Sequence, residues 1–199
     1  MDRRASSRVV GQASAETRMV FLTGALALMS PSQASCRTIP DTARIQSIGR
    51  FSDMRYTEEH AYGHAVMLWR AGGCVFGLFE SSEGLAGDTP TGLLTDVRYN
   101  PSGTLSFAAK LTTGMTNMAG SGAPVPSRDL FRFIGRLGAT ALKGKLRRSD
   151  ELRPGLESTE TQIVLQRATE QDGLLDEAKT YGAWREAVEP ILRFRGPKW

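Results

Sequence analysis

Two glutamates and two histidines form the densest group of side chains that could bind a metal ion: Glu58, Glu59, His60 and His64. On a helix, His60 and His64 would lie one turn apart and could share a metal ion. However, Gly63 lies between them, and from there on the pattern is that of a strand, in which residues four apart are about 13 Å apart. The sequence therefore favours a polar connection with two solvated histidines and predicts no metal site.

Motifs for nucleophilic catalysis and for phosphate binding are absent from the sequence. No serine lies in a Gly-x-Ser-x-Gly motif, and no glycine-rich loop ends in Lys-Ser or Lys-Thr. Four carboxylates could meet at one end of a barrel as the acid–base pair of a hydrolase: Asp53, Glu80, Asp88 and Asp96. Because no motif links them, a hydrolase is only the third hypothesis, and we expect neither an enzyme nor a cofactor.

Six basic residues would form the outer face of one hairpin: Arg132, Arg136, Lys143, Lys145, Arg147 and Arg148. Such a face could attract anionic polymers or lipid headgroups. No exposed aromatic side chains lie among these cations to stack on bases. The favoured interpretation is a solvated face whose charge discourages pairing with other strands.

The net charge also argues against a nucleic-acid partner. The whole chain has a formal charge of +4, from 25 basic and 21 acidic side chains. Residues 1–35 hold four of the basic and two of the acidic side chains, so the rest of the chain has a charge of only +2. A balance this small is not typical of a nucleic-acid-binding protein.

The first 35 residues have the pattern of a secretory signal peptide. An apolar run of eleven residues, 19–29, follows four arginines: Arg3, Arg4, Arg8 and Arg18. The run is shorter than the roughly 20 residues of a membrane span, and a small-residue site, Ser32-Gln33-Ala34, follows it. We expect residues 1–34 to be removed and the protein to be periplasmic, secreted or anchored in the envelope; a buried core helix is the alternative.

The two cysteines, Cys36 and Cys74, allow two interpretations that exclude each other. In an oxidising compartment they would form a disulfide. Alternatively, residues 33–36 partly resemble the bacterial lipoprotein box, in which the cysteine is lipidated, although Gln33 stands where that box has an aliphatic residue. Lipidation of Cys36 would leave Cys74 as a small buried hydrophobic residue, and it is the only route by which we expect the protein to reach a membrane.

Hydrophobic and polar residues alternate between residues 48 and 168, and glycine-rich turns interrupt them, as in short antiparallel strands. This pattern predicts eight strands: 49–56, 63–70, 74–80, 91–99, 104–111, 129–137, 140–148 and 161–167. The longer connections are predicted to be loops: 81–90, 112–127 and 149–160. After Ala168 the spacing becomes helical, and Gly182 and Pro190 allow either one broken helix or two short ones.

Eight sequential strands have unpaired edges unless the sheet closes, so we expect a mainly β protein: an antiparallel up-and-down barrel with a C-terminal α-helix. The predicted barrel domain is 48–168, with an extension at 35–47 and a helical segment, 169–199, that packs on the barrel. The chain resembles the calycins, the lipocalin and avidin-like group of small barrels. Gly49-Arg50-Phe51 stands where that group has Gly-x-Trp, and Arg167 stands where lipocalins place an arginine over that aromatic residue.

The leading functional hypothesis is a non-enzymatic envelope protein whose barrel holds a small apolar ligand. Seven aromatic residues are candidates for the lining: Trp69, Phe76, Phe79, Tyr99, Phe107, Phe131 and Phe133. Aromatic residues at strand spacing are also typical of an ordinary core, because small barrels can be completely filled. The alternative is therefore an interaction module with a filled barrel, which would bind an unknown partner through the basic face or through the helix that carries Trp184.

Overall fold

Antiparallel strands, each paired with a neighbour along the chain, form a closed barrel in the computed structural model of the protein. The structure describes residues 36, 38–85, 87, 89–118, 122–169 and 173–199, so the predicted signal peptide and Asp88 lie outside it. In chain order the elements are β1 (Gln46–Ser52), β2 (Arg55–Tyr56), β3 (His60–Ala71), β4 (Cys74–Leu85), β5 (Thr91–Tyr99), β6 (Thr104–Leu111), β7 (Met115–Asn117), β8 (Pro124–Pro126), β9 (Asp129–Leu137), β10 (Ala141–Asp150), β11 (Thr159–Arg167), α1 (Gly173–Glu177) and α2 (Tyr181–Arg195).

Strand β1 closes the barrel because it pairs with two other strands. Phe51 of β1 lies opposite Val66 of β3 and opposite Arg167 of β11. The remaining pairs follow the order β3-β4-β5-β6-β9-β10-β11, which gives eight barrel strands, while β2 extends the sheet beside β3 and β7 pairs with β8. These pairings confirm the predicted up-and-down antiparallel barrel, and α2 confirms the predicted C-terminal helix.

The inward faces of the barrel strands form one hydrophobic core. The ring centroid of Phe79 lies 5.9 Å from that of Phe107 and 5.1 Å from that of Phe131, and Phe107 stacks on Phe133 at 5.1 Å. Fully buried aliphatic side chains, among them Leu68, pack around these rings. Burial of each large apolar side chain stabilises a protein by about 1.5–3 kcal/mol, so this core stabilises the barrel.

A second apolar cluster lies outside the barrel wall, between the β3–β4 hairpin and α2. The indole of Trp184 in α2 lies 5.5 Å from the ring of Trp69 and 4.8 Å from that of Phe76. Trp184 is only 2% exposed, so it is a packing residue and not part of a free helix surface. Residues 65–69 of β3 and 75–82 of β4 are consequently buried on both faces.

Two helices follow the barrel, and the break between them falls at neither Gly182 nor Pro190. Helix α2 begins after Thr180, whose hydroxyl oxygen accepts a hydrogen bond from the amide of Ala183 and so caps the helix. Pro190 lies inside α2. Gly182 packs closely against the segment before β1, because a Cβ there would lie about 3.0 Å from Asp41.

Strand residues occupy part of all three predicted loops, and in 149–160 they are the ends of β10 and β11. Strand β4 continues to Leu85 because it stays paired with β3 as far as His60, so residues 81–85 do not form a loop. Ser81 and Ser82 are buried in this stretch, but their small polar side chains give no apolar signal in the sequence. Strands β7 and β8 form a short hairpin within the predicted loop 112–127.

Gly49, Phe51 and Arg167 form a single arrangement at the seam where the barrel closes. The guanidinium carbon of Arg167 lies 4.8 Å from the centroid of the Phe51 ring. Its Nη1 donates to the carbonyl of Ile48 at 2.6 Å, and its Nε donates to the carbonyl of Ala139 at 2.5 Å. Gly49 has a φ of +132°, and a Cβ at this position would collide with Nη1 of Arg167.

Substitution of Gly49 by alanine should therefore destabilise the barrel. A side chain in this backbone conformation costs about 1–3 kcal/mol, and displacement of Arg167 weakens hydrogen bonds worth about 1 kcal/mol each. We expect Gly49→Ala to lower the free energy of unfolding by about 2–4 kcal/mol, measured by chemical denaturation. Gly73→Ala is the matched control, because a Cβ there meets nothing within 4 Å. Equal stability of the two variants would contradict the role of this seam.

Candidate functional site: a cleft in the barrel wall

A cleft opens in the barrel wall where β4 and β5 diverge. The two strands pair over only three positions, from Leu78 opposite Leu93 to Glu80 opposite Thr91. Towards its N-terminus β4 stays paired with β3, whereas β5 continues along β6 to Tyr99. The space between the diverging strands has a volume of about 860 Å³.

A bulge in β5 accounts for this divergence. The register between β5 and β6 shifts between Thr95 and Arg98, and Asp96 within the bulge has a φ of +51°. Bulges bend a strand and increase its local twist, so β5 turns away from β4 at this point. A non-glycine residue in this conformation carries a strain of about 1–3 kcal/mol, and such strain is typical of sites with a function.

The lining of the cleft combines apolar and charged side chains. Val75 and Leu94 belong to the barrel core and Val97 packs against it, so the apolar part of the cleft is continuous with the core. Charged and phenolic side chains from β5 and α2 complete the lining: Asp96, Arg98, Tyr99, Tyr181 and Arg185. The cleft can therefore contact a molecule that has both an apolar part and a polar or charged part.

A disulfide between Cys36 and Cys74 fixes the chain segment before β1 at this cleft. Cys36, Thr38 and Ile39 line the cleft together with β4, which begins at Cys74. The two cysteines are separated by 38 positions in the sequence, and closing a loop of this size stabilises a fold by about 3–4 kcal/mol in the chain-entropy model. The disulfide thus holds one wall of the cleft in place.

The seven aromatic residues expected to line a ligand site lie in different parts of the structure. Four of them fill the barrel core: Phe79, Phe107, Phe131 and Phe133. Trp69 and Phe76 lie on the outer face of the barrel beneath α2, although Phe76 also contacts the cleft, and Tyr99 is a cleft residue that is 37% exposed. Alternation could not assign Trp69 and Phe76 to the outer face, because β3 and β4 are apolar on both faces where these residues lie.

The residues considered for metal binding or acid–base catalysis have separate partners. His60 stacks on Tyr62, and within the described residues no group of three or more His, Cys, Asp or Glu side chains could hold a metal ion. Asp53 accepts a hydrogen bond from the amide of His64, while Glu80 pairs with Arg50 at 3.2 Å. Asp96 lines the cleft, so the three candidate carboxylates that the structure describes, Asp53, Glu80 and Asp96, lie in different settings.

Arg148 was expected on the outer basic face, but it belongs to a polar network near one end of the barrel. Neighbouring strand residues point to opposite faces, so Arg148 cannot share the face of Arg147. Its Nε donates to Asp129 at 2.9 Å, and Asp129 also accepts hydrogen bonds from Ser127 at 2.5 Å and Thr113 at 2.7 Å. Burial acts to raise the pKa of Asp129, but these hydrogen bonds and the charge of Arg148 hold that pKa below its usual value.

His64 lies between this network and the aromatic core. Its ring stacks on Phe79 at 5.7 Å and meets the edge of Phe131 at 6.2 Å, and its buried Nδ1 has no hydrogen-bond partner among the described residues. Burial lowers the pKa of His64, although the charges of Asp53 and Glu83 oppose that shift. In the folded protein the imidazole is therefore mainly neutral at pH 7.

Comparison with known protein families, with curated proteins and with solved structures gave no match. Among the residues that the structure describes, no helix is long and apolar enough to cross a membrane. The function must therefore be inferred from the geometry of this chain itself.

His64 should make the folded protein less stable as the pH falls below about 6.5. Because the folded-state pKa lies below the ordinary value of about 6.5, the unfolded chain takes up the proton first as the pH falls, and folding stability decreases. The substitution His64→Phe should remove the contribution of His64 to this pH dependence. As the pH falls, the melting temperature of the variant should therefore decrease less than that of the wild type. The control His60→Phe should keep the wild-type dependence, and an unchanged pH profile in the His64 variant would refute the assignment.

Proposed function

We propose that this protein is a non-enzymatic binding protein of the cell envelope that holds a small amphipathic ligand in the cleft between β4 and β5. The observation that carries this proposal is the cleft itself. Its volume of about 860 Å³ falls within the roughly 300–1,000 Å³ that is typical of small-molecule sites. The aromatic and aliphatic side chains that pack together inside the barrel favour this location over the barrel interior or open end, where the sequence analysis expected the ligand.

The lining supports a ligand with an apolar body and an anionic group. Val75, Leu94 and Val97 offer apolar surface continuous with the core, while Arg98 and Arg185 offer positive charge. Arg185 also lies 3.3 Å from Asp41, but both side chains are more than half exposed, so this ion pair is weak and can give way to a ligand. We therefore propose an amphipathic ligand in place of the small apolar ligand that the sequence led us to expect.

The seam of the barrel supports a relationship to the calycins. In that group an arginine on the last strand packs over the aromatic residue of the first strand, and Arg167 packs over Phe51 in the same way. Phe51 replaces the tryptophan of the group, so the resemblance lies in the arrangement and the order of elements. Small-ligand binding without catalysis is the activity that such a relationship implies.

The candidate carboxylates have separate partners, which favours a binding protein over a hydrolase. An acid–base pair needs two carboxyl groups about 5–10 Å apart around one substrate. Glu80 is engaged by Arg50, whereas Asp53 is engaged by the amide of His64, and Asp96 lies in the cleft. The hypothesis of a hydrolase therefore has no supporting arrangement among these described residues.

The ligand site can be tested with anilinonaphthalene sulfonate, a fluorescent probe that has apolar rings and one anionic group. The full chain should bind it with increased fluorescence, because the rings can contact Val97 and the sulfonate can contact the two arginines. The double variant Arg98→Ala/Arg185→Ala should raise the Kd by about tenfold, since charge-assisted hydrogen bonds to the sulfonate are lost. Val97→Asp should weaken binding further by placing a negative charge on the apolar surface.

Arg195→Ala is the matched control for this experiment, because Arg195 is an exposed arginine of α2 outside the cleft lining. Its Kd should equal that of the wild type. The cleft assignment fails if all variants bind the probe equally, or if the wild type does not bind it. Melting temperatures of the variants show whether a lost signal reflects misfolding.

Export is the second part of the proposal, supported by the basic and apolar pattern of residues 1–34 and by the disulfide at Cys36. After expression of the full chain in a bacterium with two membranes, we expect the protein in the envelope fraction. Intact-mass spectrometry should give the mass of residues 35–199 less two hydrogens. Added acyl mass on Cys36 would instead indicate a lipid anchor, and an intact Met1 form in the cytoplasm would contradict export altogether.

A further inference from the structure

The outer face of β9, β10 and β11 is a strongly cationic surface, which we call the cationic face. Neither the core nor the cleft uses this surface. Cross-strand pairing arranges nine exposed residues in three rows: Arg132, Arg147 and Glu160; Ile134, Lys145 and Gln162; Arg136, Lys143 and Val164. Neighbouring strands are about 4.8 Å apart and successive rows about 7 Å apart, so five cations lie within a small patch.

Two cross-strand pairs on the cationic face join like charges. Arg132 lies directly opposite Arg147, and Arg136 lies directly opposite Lys143. Like charges in this position destabilise a sheet. The only carboxylate of the nine residues, Glu160, lies 2.7 Å from Lys145, and both side chains are about half exposed. Arg136 donates to the carbonyl of Ser102 at 3.0 Å and Arg147 to the hydroxyl of Ser158 at 2.6 Å. These single contacts leave the like-charge pairs uncompensated, so an external anionic partner accounts for the cationic face better than fold stability does.

Exposed aliphatic side chains lie among the cations. Ile134 is 59% exposed and Val164 is 46% exposed, and each stands in a row with a lysine of β10. A single-stranded nucleic acid would need aromatic side chains on which its bases stack, and the nine residues include none. A lipid surface accepts both types of side chain, because its phosphates attract cations and its acyl boundary takes up apolar groups.

The barrel presents this face on the side away from the cleft. In the closed order β1-β3-β4-β5-β6-β9-β10-β11, the β9–β10 hairpin is four strands from the β3–β4 hairpin that α2 covers. The β10–β11 pair is likewise four strands from the β4–β5 pair that forms the cleft. A partner on the cationic face therefore leaves the cleft accessible.

We propose that the cationic face binds the surface of an anionic phospholipid membrane. Its arginines and lysines contact lipid phosphates, while Ile134 and Val164 reach the boundary of the acyl chains. Bound in this way, the barrel turns its cleft towards the aqueous side. This binding needs no lipid on Cys36, in contrast to the expectation that only an anchor would bring the chain to a membrane.

The test measures cosedimentation of the full chain with two kinds of vesicle, phosphatidylcholine alone and phosphatidylcholine mixed with phosphatidylglycerol. The protein should bind the anionic vesicles, and salt should weaken that binding. The variant Arg132→Glu/Lys143→Glu should reduce the partition coefficient for anionic vesicles by about 25-fold or more, at about fivefold per cation removed. Ile134→Ser should reduce it less.

This double variant is chosen so that loss of folding cannot explain loss of binding. Each substitution turns a like-charge pair into an opposite-charge pair, with Arg147 and with Arg136, so the melting temperature should stay the same or rise. The control Arg193→Glu/Arg195→Glu changes the net charge equally on exposed positions of α2. All variants share residues 1–35, so any contribution of that segment cancels.

Three results would overturn the proposal. One is equal loss of vesicle binding in the control and in the double variant, which would show an effect of net charge alone. Another is absence of binding to anionic vesicles, or equal binding to both kinds. The third is binding of a single-stranded oligonucleotide, lost in the Arg132→Glu/Lys143→Glu variant, by a protein that does not sediment with vesicles.

Discussion

The pairing of β1 with both β3 and β11 is the constraint on which the rest of the structure depends. It removes the free edges that would otherwise template pairing with other chains. It also requires a special backbone, because the register shifts at Gly49, whose φ of +132° leaves room for Arg167 above Phe51. Once the sheet is closed, it has a single interior, and the inward apolar side chains of its strands form one core.

Closure of the barrel also determines which outer strand faces must be covered by other parts of the chain. The outer faces of β3 and β4 carry Trp69 and Phe76, which would expose two large aromatic rings to water without a cover. Helix α2 supplies this cover through Trp184, and burial of each ring stabilises the fold by about 1.5–3 kcal/mol. The outer faces of β9 and β10 are charged and need no cover. The two sides of the barrel therefore have different roles in stability.

The sequence predicted the hairpins where one strand face is apolar and the other polar. In β9, Phe131 and Phe133 point inward while Arg132 points outward, as alternation requires. The same rule failed for Trp69 and Phe76, because both faces of their strands are buried and the sequence does not identify the inner one. For Arg148 the signal was present, since two consecutive strand residues cannot share a face. Phe76, Asp96 and Tyr99 were candidates for a site, but the cleft that they line was not predicted, because alternation gives no sign of the bulge that turns β5 away from β4.

The cleft does not open the barrel, because three paired positions between β4 and β5 suffice to keep the sheet closed. Where that pairing stops, other parts of the chain form the walls: the segment held by Cys36 on one side and α2 on the other. Trp184 packs into the outer cluster, and the next residue, Arg185, lines the cleft. The helix that completes the packing of β3 and β4 therefore also positions a charged residue of the candidate site, so fold stability and cleft geometry depend on the same contacts.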